Sequence, residues 1–390
     1  MKLLLTAFTV ALCSLGVETA FADASQNVVE TSISVPIKSS AELLSYLEHG
    51  NASPLDMLSA PAKRRFLDSL RFGSTGLAGF SVAELEAELT QDEAREVLKL
   101  FGADAYTPPA SRMRDRHLNI GATETATADT WFDEVLRASL TASPSREVVA
   151  AYERGFRSRQ TPAGLHTLSD GDLALVFRAA TIVAGFDQAP RYADDMRREL
   201  AELNRRHLTA SGDYENAYRA LIRSRDFGAA DDLRARYPEA RLPPLPTVYD
   251  TVKHPGPTVL QLSADGSELE RHVVTLDEPI QIIIIAGCHF ASDAALDIER
   301  DPLLRKAFAQ HVLWLTPQDG DPADPDLIRW NREHPFTAMR SVYRESEWPQ
   351  IDSWAMPTFY FFRGGKLDKK FVGWQKESIM VELRKLGLMP

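Results

Sequence analysis

From Ser39 to about Glu239, apolar residues recur every three or four positions, in "ELLSYL", "RRFLDSL", "EVLKLF", "EVVAAYERGF" and "DLALVFRAATIV". That period places them on one face of an α-helix, and the region reads as helical throughout. Ser39 with Glu42, Ser81 with Glu84, and Thr90 with Glu93 stand at the capping-box spacing, in which two side chains satisfy free backbone donors at a helix start. The clearest pair of helices lies in "DYENAYRALIRSRDFGAADDLRARYPE". Tyr214, Ala217, Tyr218 and Leu221 share one face, and Phe227, Ala230, Leu233 and Tyr237 share another, with Asp226 and Gly228 near the turn. Amphipathic stripes of this kind are first of all core; a partner-binding surface is the other use. No strict period runs through the region, which weighs against a repeat array.

The pattern changes after Tyr237. Pro238, Pro243, Pro244, Pro246, Pro255 and Pro257 crowd a short span, which suits an extended connector and not a helix. Beyond it the period shortens to that of strands in "TVLQLSA", "RHVVTL" and "IQIIIIA", with a turn at Asp265-Gly266. The near-continuous "IQIIII" suits a central strand buried on both faces. A helix over "SDAALDIERDPLLRKAFAQ" is expected to start near Ser292 or Asp293. A second buried strand "HVLWLTP", a helix at "PDLIRWNREH", a strand at "MRSVY", a hairpin of "MPTFYFF" and "KKFVGW" around "RGGK", and a closing helix "KESIMVELRKLGL" follow. The expected class is α+β in two domains. An all-helical domain over 39–239 is joined by a Pro-rich linker over 240–257 to a mixed sheet flanked by helices over 258–390.

Composition refines this picture in two places. The formal net charge is −11 with both signs interleaved, which argues against nucleic acid or an anionic membrane surface as partner. At the N-terminus, Lys2 precedes the apolar "LLLTAFTVALCSLGV", and "AFA" at 20–22 has the small-x-small cleavage pattern. Residues 1–22 therefore read as a secretory signal, with Asp23 as the first mature residue and 23–38 as a polar leader. Periplasm and full secretion are both compatible with such a signal. Cys13 is not read as a lipid site, because the bulky Leu12 precedes it. No later segment has the length or purity of a transmembrane helix.

The chain has two cysteines, and signal cleavage removes Cys13. Cys288 is then the single thiol of the mature protein, which has no internal disulfide to form. A lone cysteine in an oxidising compartment is unusual. It stands at the end of the "IQIIIIAG" run and is followed by His289, Phe290 and Ala291.

The stretch from about 255 to 390 resembles the thioredoxin superfamily, especially the exported TlpA-like redoxins. Cys288 ends the first central strand where that family has its nucleophile. "MPTFYFF" is similar to the segment whose cis-proline, here Pro357, faces the active-site cysteine. "RGGK" and Gly373 resemble the following hairpin turn and strand glycine. The resemblance covers about a third of the chain. It implies that the backbone of the residue before the proline, Met356, holds a bound polypeptide by strand addition, with Trp354 lining the same groove and Trp374 a further candidate.

The departures matter equally. Where the family has Cys-x-x-Cys this chain reads "CHFA", with Ala291 in the resolving position, so a dithiol–disulfide cycle within one chain is chemically excluded. Gly287 stands where many members carry tryptophan, and Ile282 where thioredoxin has a buried acid. A lone thiol preceding a helix still has use. Helix N–H groups and a protonated His289 favour thiolate, which attacks a partner's disulfide or forms a mixed disulfide. Four readings of Cys288 stay open: a monothiol nucleophile modulated by His289, a buried inert residue, a relic on a non-catalytic binding scaffold, and a link to a second chain. A metal held by His289 with His311 or His334 lacks the second cysteine that copper-handling relatives use, and adjacent residues seldom address one ion. No phosphate loop or dinucleotide fingerprint is present, and no cofactor is expected. The expected partner is a protein or peptide.

Overall fold

Each predicted helical stretch forms helix, and its start shows what the local code can and cannot see. The structure, a computed structural model, describes residues 36–49, 52–118, 126–141, 144–253, 256–263, 265–287, 289–309 and 311–390. Residues 1–35, on which the expected signal peptide and most of the expected leader fall, and Cys288 lie outside the described residues. Cα proximity divides the chain into two compact units. One runs to Asp187 and adds Asp195–Asn216; the other joins Gln188–Asp194 to Ala217–Pro390.

The first unit contains α1 (Ser40–Glu48), α2 (Ala60–Ser69), β1 (Arg71–Gly73), β2 (Gly76–Gly79), α3 (Ala83–Glu88), α4 (Gln91–Lys99), α5 (Ala126–Ser139), α6 (Pro144–Phe156), α7 (Pro162–His166) and α8 (Asp170–Phe186); α9 (Pro190–Arg205) and α10 (Ser211–Arg223) cross the division. The Thr90–Glu93 box closes at the head of α4 with both reciprocal bonds. At α1, Ser39 accepts from the Glu42 N–H, but the Glu42 carboxylate reaches back to the Lys38 N–H at 2.7 Å. The Ser81–Glu84 box does not form. Val82 caps α3 without a side-chain bond, and Glu84 turns inward to Arg65 and Arg178. The all-helical expectation is corrected at "RFGSTGLAG", where β1 and β2 pair as an antiparallel hairpin. Three glycines there disfavour helix, and Gly76 turns the chain at φ 132, a conformation side chains rarely adopt. Phe66, Leu85, Val97 and Leu98 form the core around this hairpin. Farther along, α5 and α6 approach so closely that a Cβ at Gly155 would stand 2.8 Å from Trp131 Cβ.

The second unit adds α11 (Phe227–Arg236), β3 (Thr247–Tyr249), β4 (Thr258–Leu262), β5 (Glu268–Val273), β6 (Ile280–Ile285), α12 (His289–Arg300), α13 (Pro302–Phe308), β7 (Val312–Thr316), α14 (Pro325–Glu333), β8 (Met339–Val342), β9 (Thr358–Arg363), β10 (Lys366–Val372) and α15 (Lys376–Lys385). The eight strands form one mixed sheet in the order β10-β9-β6-β7-β8-β4-β5-β3. β6 runs parallel to β7 and antiparallel to β9, which forms a hairpin with β10. Because side chains alternate across a strand, β6 is buried on both faces. Ile282 and Ile284 meet Ala291, Ala294 and Ile298 of α12, while Ile283 and Ile285 meet Trp348, Tyr360 and Phe362.

Within the Pro-rich span, Thr247–Tyr249 is the edge strand β3, parallel to β5, and the Tyr218 hydroxyl donates to the Pro243 carbonyl at 2.6 Å. The α10–α11 turn is fastened to the sheet by Arg225. Its buried guanidinium donates to the Tyr343 carbonyl at 2.9 Å and the Val342 carbonyl at 2.7 Å, at the end of β8. Asp226 then caps α11 through the Ala229 N–H.

Candidate functional site

The site is built where β6 gives way to α12. Ile285 pairs with Thr358 of β9, and the Ala286 N–H donates to the Leu315 carbonyl at 2.8 Å, so the strand is held to its last residue. Gly287 follows at φ 136. A Cβ there would stand 3.2 Å from Met356 Sδ and 3.6 Å from Thr316 Cγ2. A side chain at this place would press on the Met356 thioether and be strained at that φ. Cys288 comes next in the sequence, outside the described residues, and α12 opens at His289. That start is three residues earlier than Ser292, the first of the two expected cap residues.

Opposite Gly287 lies the loop that enters β9. The Met356–Pro357 bond is cis. The Tyr360 hydroxyl accepts from the Ser353 N–H at 3.0 Å and donates to the Asp352 carboxylate at 2.8 Å. Burial, then the Asp352 hydrogen bond and charge, push the Tyr360 phenol well above its ordinary range. Lys370 pairs with Asp352 at 2.7 Å. Its hydrogen bond, then that of Tyr360, holds the Asp352 carboxyl below its ordinary value. Ala355 is tied at both ends, its N–H to Ser353 Oγ and its carbonyl to Thr358 Oγ1 at 2.6 Å. The Pro357 carbonyl accepts from the Gly373 N–H at 2.8 Å. Every neighbour of Met356 is thus anchored. The Met356 main-chain N–H and C=O, by contrast, have no hydrogen-bond partner among the described residues, and its side chain is 38% exposed.

The remaining predicted residues divide between the faces of the sheet. Trp354 is half-buried against the cluster of Ile283, Ile285 and Tyr360. Trp374 packs on the α12 face, 5.5 Å from Phe359, and donates to Asp297 at 2.9 Å. The two tryptophans therefore do not share one groove. Ala291 and Ile282 are wholly buried in the same apolar cluster, so neither a second thiol nor a proton-accepting acid stands at those positions. His334 is held by Glu299 at 2.9 Å and stacks on Trp330. No group of three or more potential metal ligands occurs among the described residues.

Nothing in the sequence points to the hydrogen-bonded frame of Tyr360, Asp352 and Lys370, because it joins β9, β10 and the preceding loop. Nor does it show Gln318, two residues beyond Thr316, which bonds the Arg223 carbonyl at 2.8 Å and accepts from the Glu345 N–H at 3.0 Å. This bond places the end of α10 beside the strand ends that carry the site.

Strand order β10-β9-β6-β7, a helix directly after β6 and a cis-proline at the head of β9 form the thioredoxin-like arrangement that the sequence resemblance implies. No family model matches the chain, and no curated protein matches it. Among solved structures, it is similar to the pneumococcal exposed lipoprotein thioredoxin of Streptococcus pneumoniae, at 16% identity over 33% of this chain and 98% of that one, with a TM-score of 0.24. It is also similar to a thioredoxin-like protein of Bacteroides caccae, at 14% identity over 68% of this chain and 95% of that one, with a TM-score of 0.22.

Proposed function

We propose that the chain is an exported redoxin of the TlpA-like kind, working in the periplasm or beyond the cell after loss of residues 1–22. It takes an extended polypeptide against the Met356 main chain and engages that partner's disulfide by monothiol exchange at Cys288. The supporting observation is the exposed Met356 N–H and C=O, unpaired among the described residues, between Ala355 and Pro357, whose own main-chain groups are hydrogen-bonded. An unpaired backbone donor and acceptor on one exposed residue are what an added strand requires. The exposed thioether beside them suits varied apolar side chains.

The chemistry balances without a cofactor. The Cys288 thiolate attacks one sulfur of the partner's disulfide, that S–S bond breaks, a mixed disulfide forms, and the departing thiolate takes a proton from solvent. With Ala291 at the resolving position, an external thiol completes the exchange. His289 precedes every other residue of α12 and modulates the thiol through its charge when protonated.

The buried Ala291 and Ile282 favour a second reading, a non-catalytic binding protein that keeps the redoxin scaffold. A cystine-containing model peptide separates the two. The wild-type mature protein should release one thiol per chain and become covalently linked to the peptide, and Cys288→Ser should reduce both to background. Equal behaviour of the two proteins would leave only the binding scaffold.

A further inference from the structure

One buried carboxyl belongs to no part of the thiol site. Glu199 lies on the inner face of α9 and is wholly buried. Its Oε1 accepts from Gln160 Nε2 at 2.6 Å, and its Oε2 has no partner among the described residues. Gln160, also buried, binds the Tyr152 hydroxyl with the same amide at 2.9 Å, while its own Oε1 has no partner among the described residues. One turn earlier on α9, Asp195 is equally buried and already serves as the anion of the cluster. It accepts from Tyr152 at 3.0 Å and Arg157 at 2.9 Å, and it binds Arg198.

The charged groups facing Glu199 are few. Asp195 and Arg198 come from α9 itself. From α6 and the turn after it come Tyr152 and Arg157, both committed to Asp195. Arg198 Nε is buried without a partner among the described residues, but its terminal nitrogen is on Asp195. One turn on, Glu202 is engaged by Arg205 and Arg206. His166 of α7 lies 3.5 Å from Glu202, and Asp170 of α8 pairs with Arg206. Among the described residues, no cation is hydrogen-bonded to Glu199, and the charge of Arg198, bonded to Asp195, acts on it only from a distance.

We propose that Glu199 is a proton-operated latch of the helical unit, closed while the carboxyl is neutral and sprung when it ionises beside Asp195. A neutral carboxyl needs one acceptor for its O–H, and rotation of the Gln160 amide supplies one. A buried carboxylate one turn from another, with a single amide donor, is left short of both charge and hydrogen bonds. The segments joined by the latch are α6, the turn carrying Gln160, and α9. Burial, with Asp195 adding to it against the Gln160 hydrogen bond and the Arg198 charge, pushes Glu199 up to about 8, which places its ionisation in mildly alkaline solution.

The sign follows from linkage. The folded carboxyl binds its proton more tightly than the unfolded one, so the latch contribution is complete below the unfolded value near ~4.3. It is lost as pH rises, fully by the time the folded value is passed. The melting temperature of the wild-type full chain, measured from pH about 6 to about 9.5, should fall more steeply than that of Glu199→Gln, which keeps the neutral form. A protonated-carboxyl C=O stretch in the infrared spectrum should be present in wild type at neutral pH, lost by pH about 9.5, and missing from the variant. Parallel melting curves would overturn the proposal. If the variant does not fold, the absence of that infrared band from the wild-type protein at neutral pH overturns it equally.

Discussion

Glu84→Gln is expected to lower the stability of the first unit by about 3–5 kcal/mol in chemical denaturation, the cost of leaving buried cations without their anion. Glu84 is 4% exposed. It accepts from Arg65 Nε at 3.0 Å and takes both terminal nitrogens of Arg178, at 2.5 and 3.1 Å. Both guanidiniums also stand over the Phe132 ring, at 5.1 and 4.5 Å from its centroid. Glutamine keeps the size but loses the charge, and presents one acceptor oxygen where two are used. Arg65 retains Asp129 at 3.2 Å, so Arg178 carries most of the loss. Burial by itself would raise the Glu84 carboxyl, but the charges and hydrogen bonds of Arg178 and Arg65 outweigh it and hold it below the ordinary value. A depressed carboxyl contributes stability above its unfolded pKa and loses it as pH falls through the folded one. Wild type and Glu84→Gln should therefore converge in stability as pH falls below the unfolded value near ~4.3 and on through the depressed folded one. A variant within about 0.5 kcal/mol of wild type at neutral pH would show that the network is not coupled to folding.

Arg225→Ala is expected to cost the second unit about 3 kcal/mol, chiefly by leaving the Val342 and Tyr343 carbonyls without their donor. The charge itself is not paired: its partners are carbonyls, and burial pulls the guanidinium down to about 10 despite Tyr343 and the acids Asp321, Asp319 and Glu345 around it. Backbone geometry gives a control. Arg225 sits at φ 64, where glycine is unstrained and alanine is not. Arg225→Gly should therefore be the more stable of the two variants by about 1 kcal/mol, although it removes as many contacts. Equal stabilities would mean that the turn relaxes when the side chain is gone.

These two side chains also mark the limit of what the sequence shows. Glu84 stands three residues after Ser81 before a helix, and that local spacing suggests a cap. Nothing within a few residues shows that Arg65 and Arg178 converge on it from other helices. Arg225 sits in a stretch read only as a turn; its partners are more than a hundred residues away on β8. By contrast, the strands and helices of the C-terminal half are legible because burial on both faces leaves an apolar run in β6 and one-sided burial leaves a helical stripe in α15. β3 escapes notice because three residues between prolines carry no usable period. The start of α12 is misplaced because Ser292 and Asp293 are the local cap formers, whereas the helix opens at His289. At the site, "MP" followed by an aromatic strand is readable. The freedom of the Met356 backbone is not, since it shows only once Ser353, Thr358 and Gly373 are seen to bind the main chain of Ala355 and Pro357 on either side.

The alkylation rate of Cys288 in the mature protein, followed across pH, tests the thiol chemistry most directly. An unperturbed cysteine titrates near about 8.5. A thiolate favoured by the start of α12 should still react rapidly well below that value. Labelling that follows the unperturbed curve, or that occurs only in denaturant, would contradict monothiol exchange.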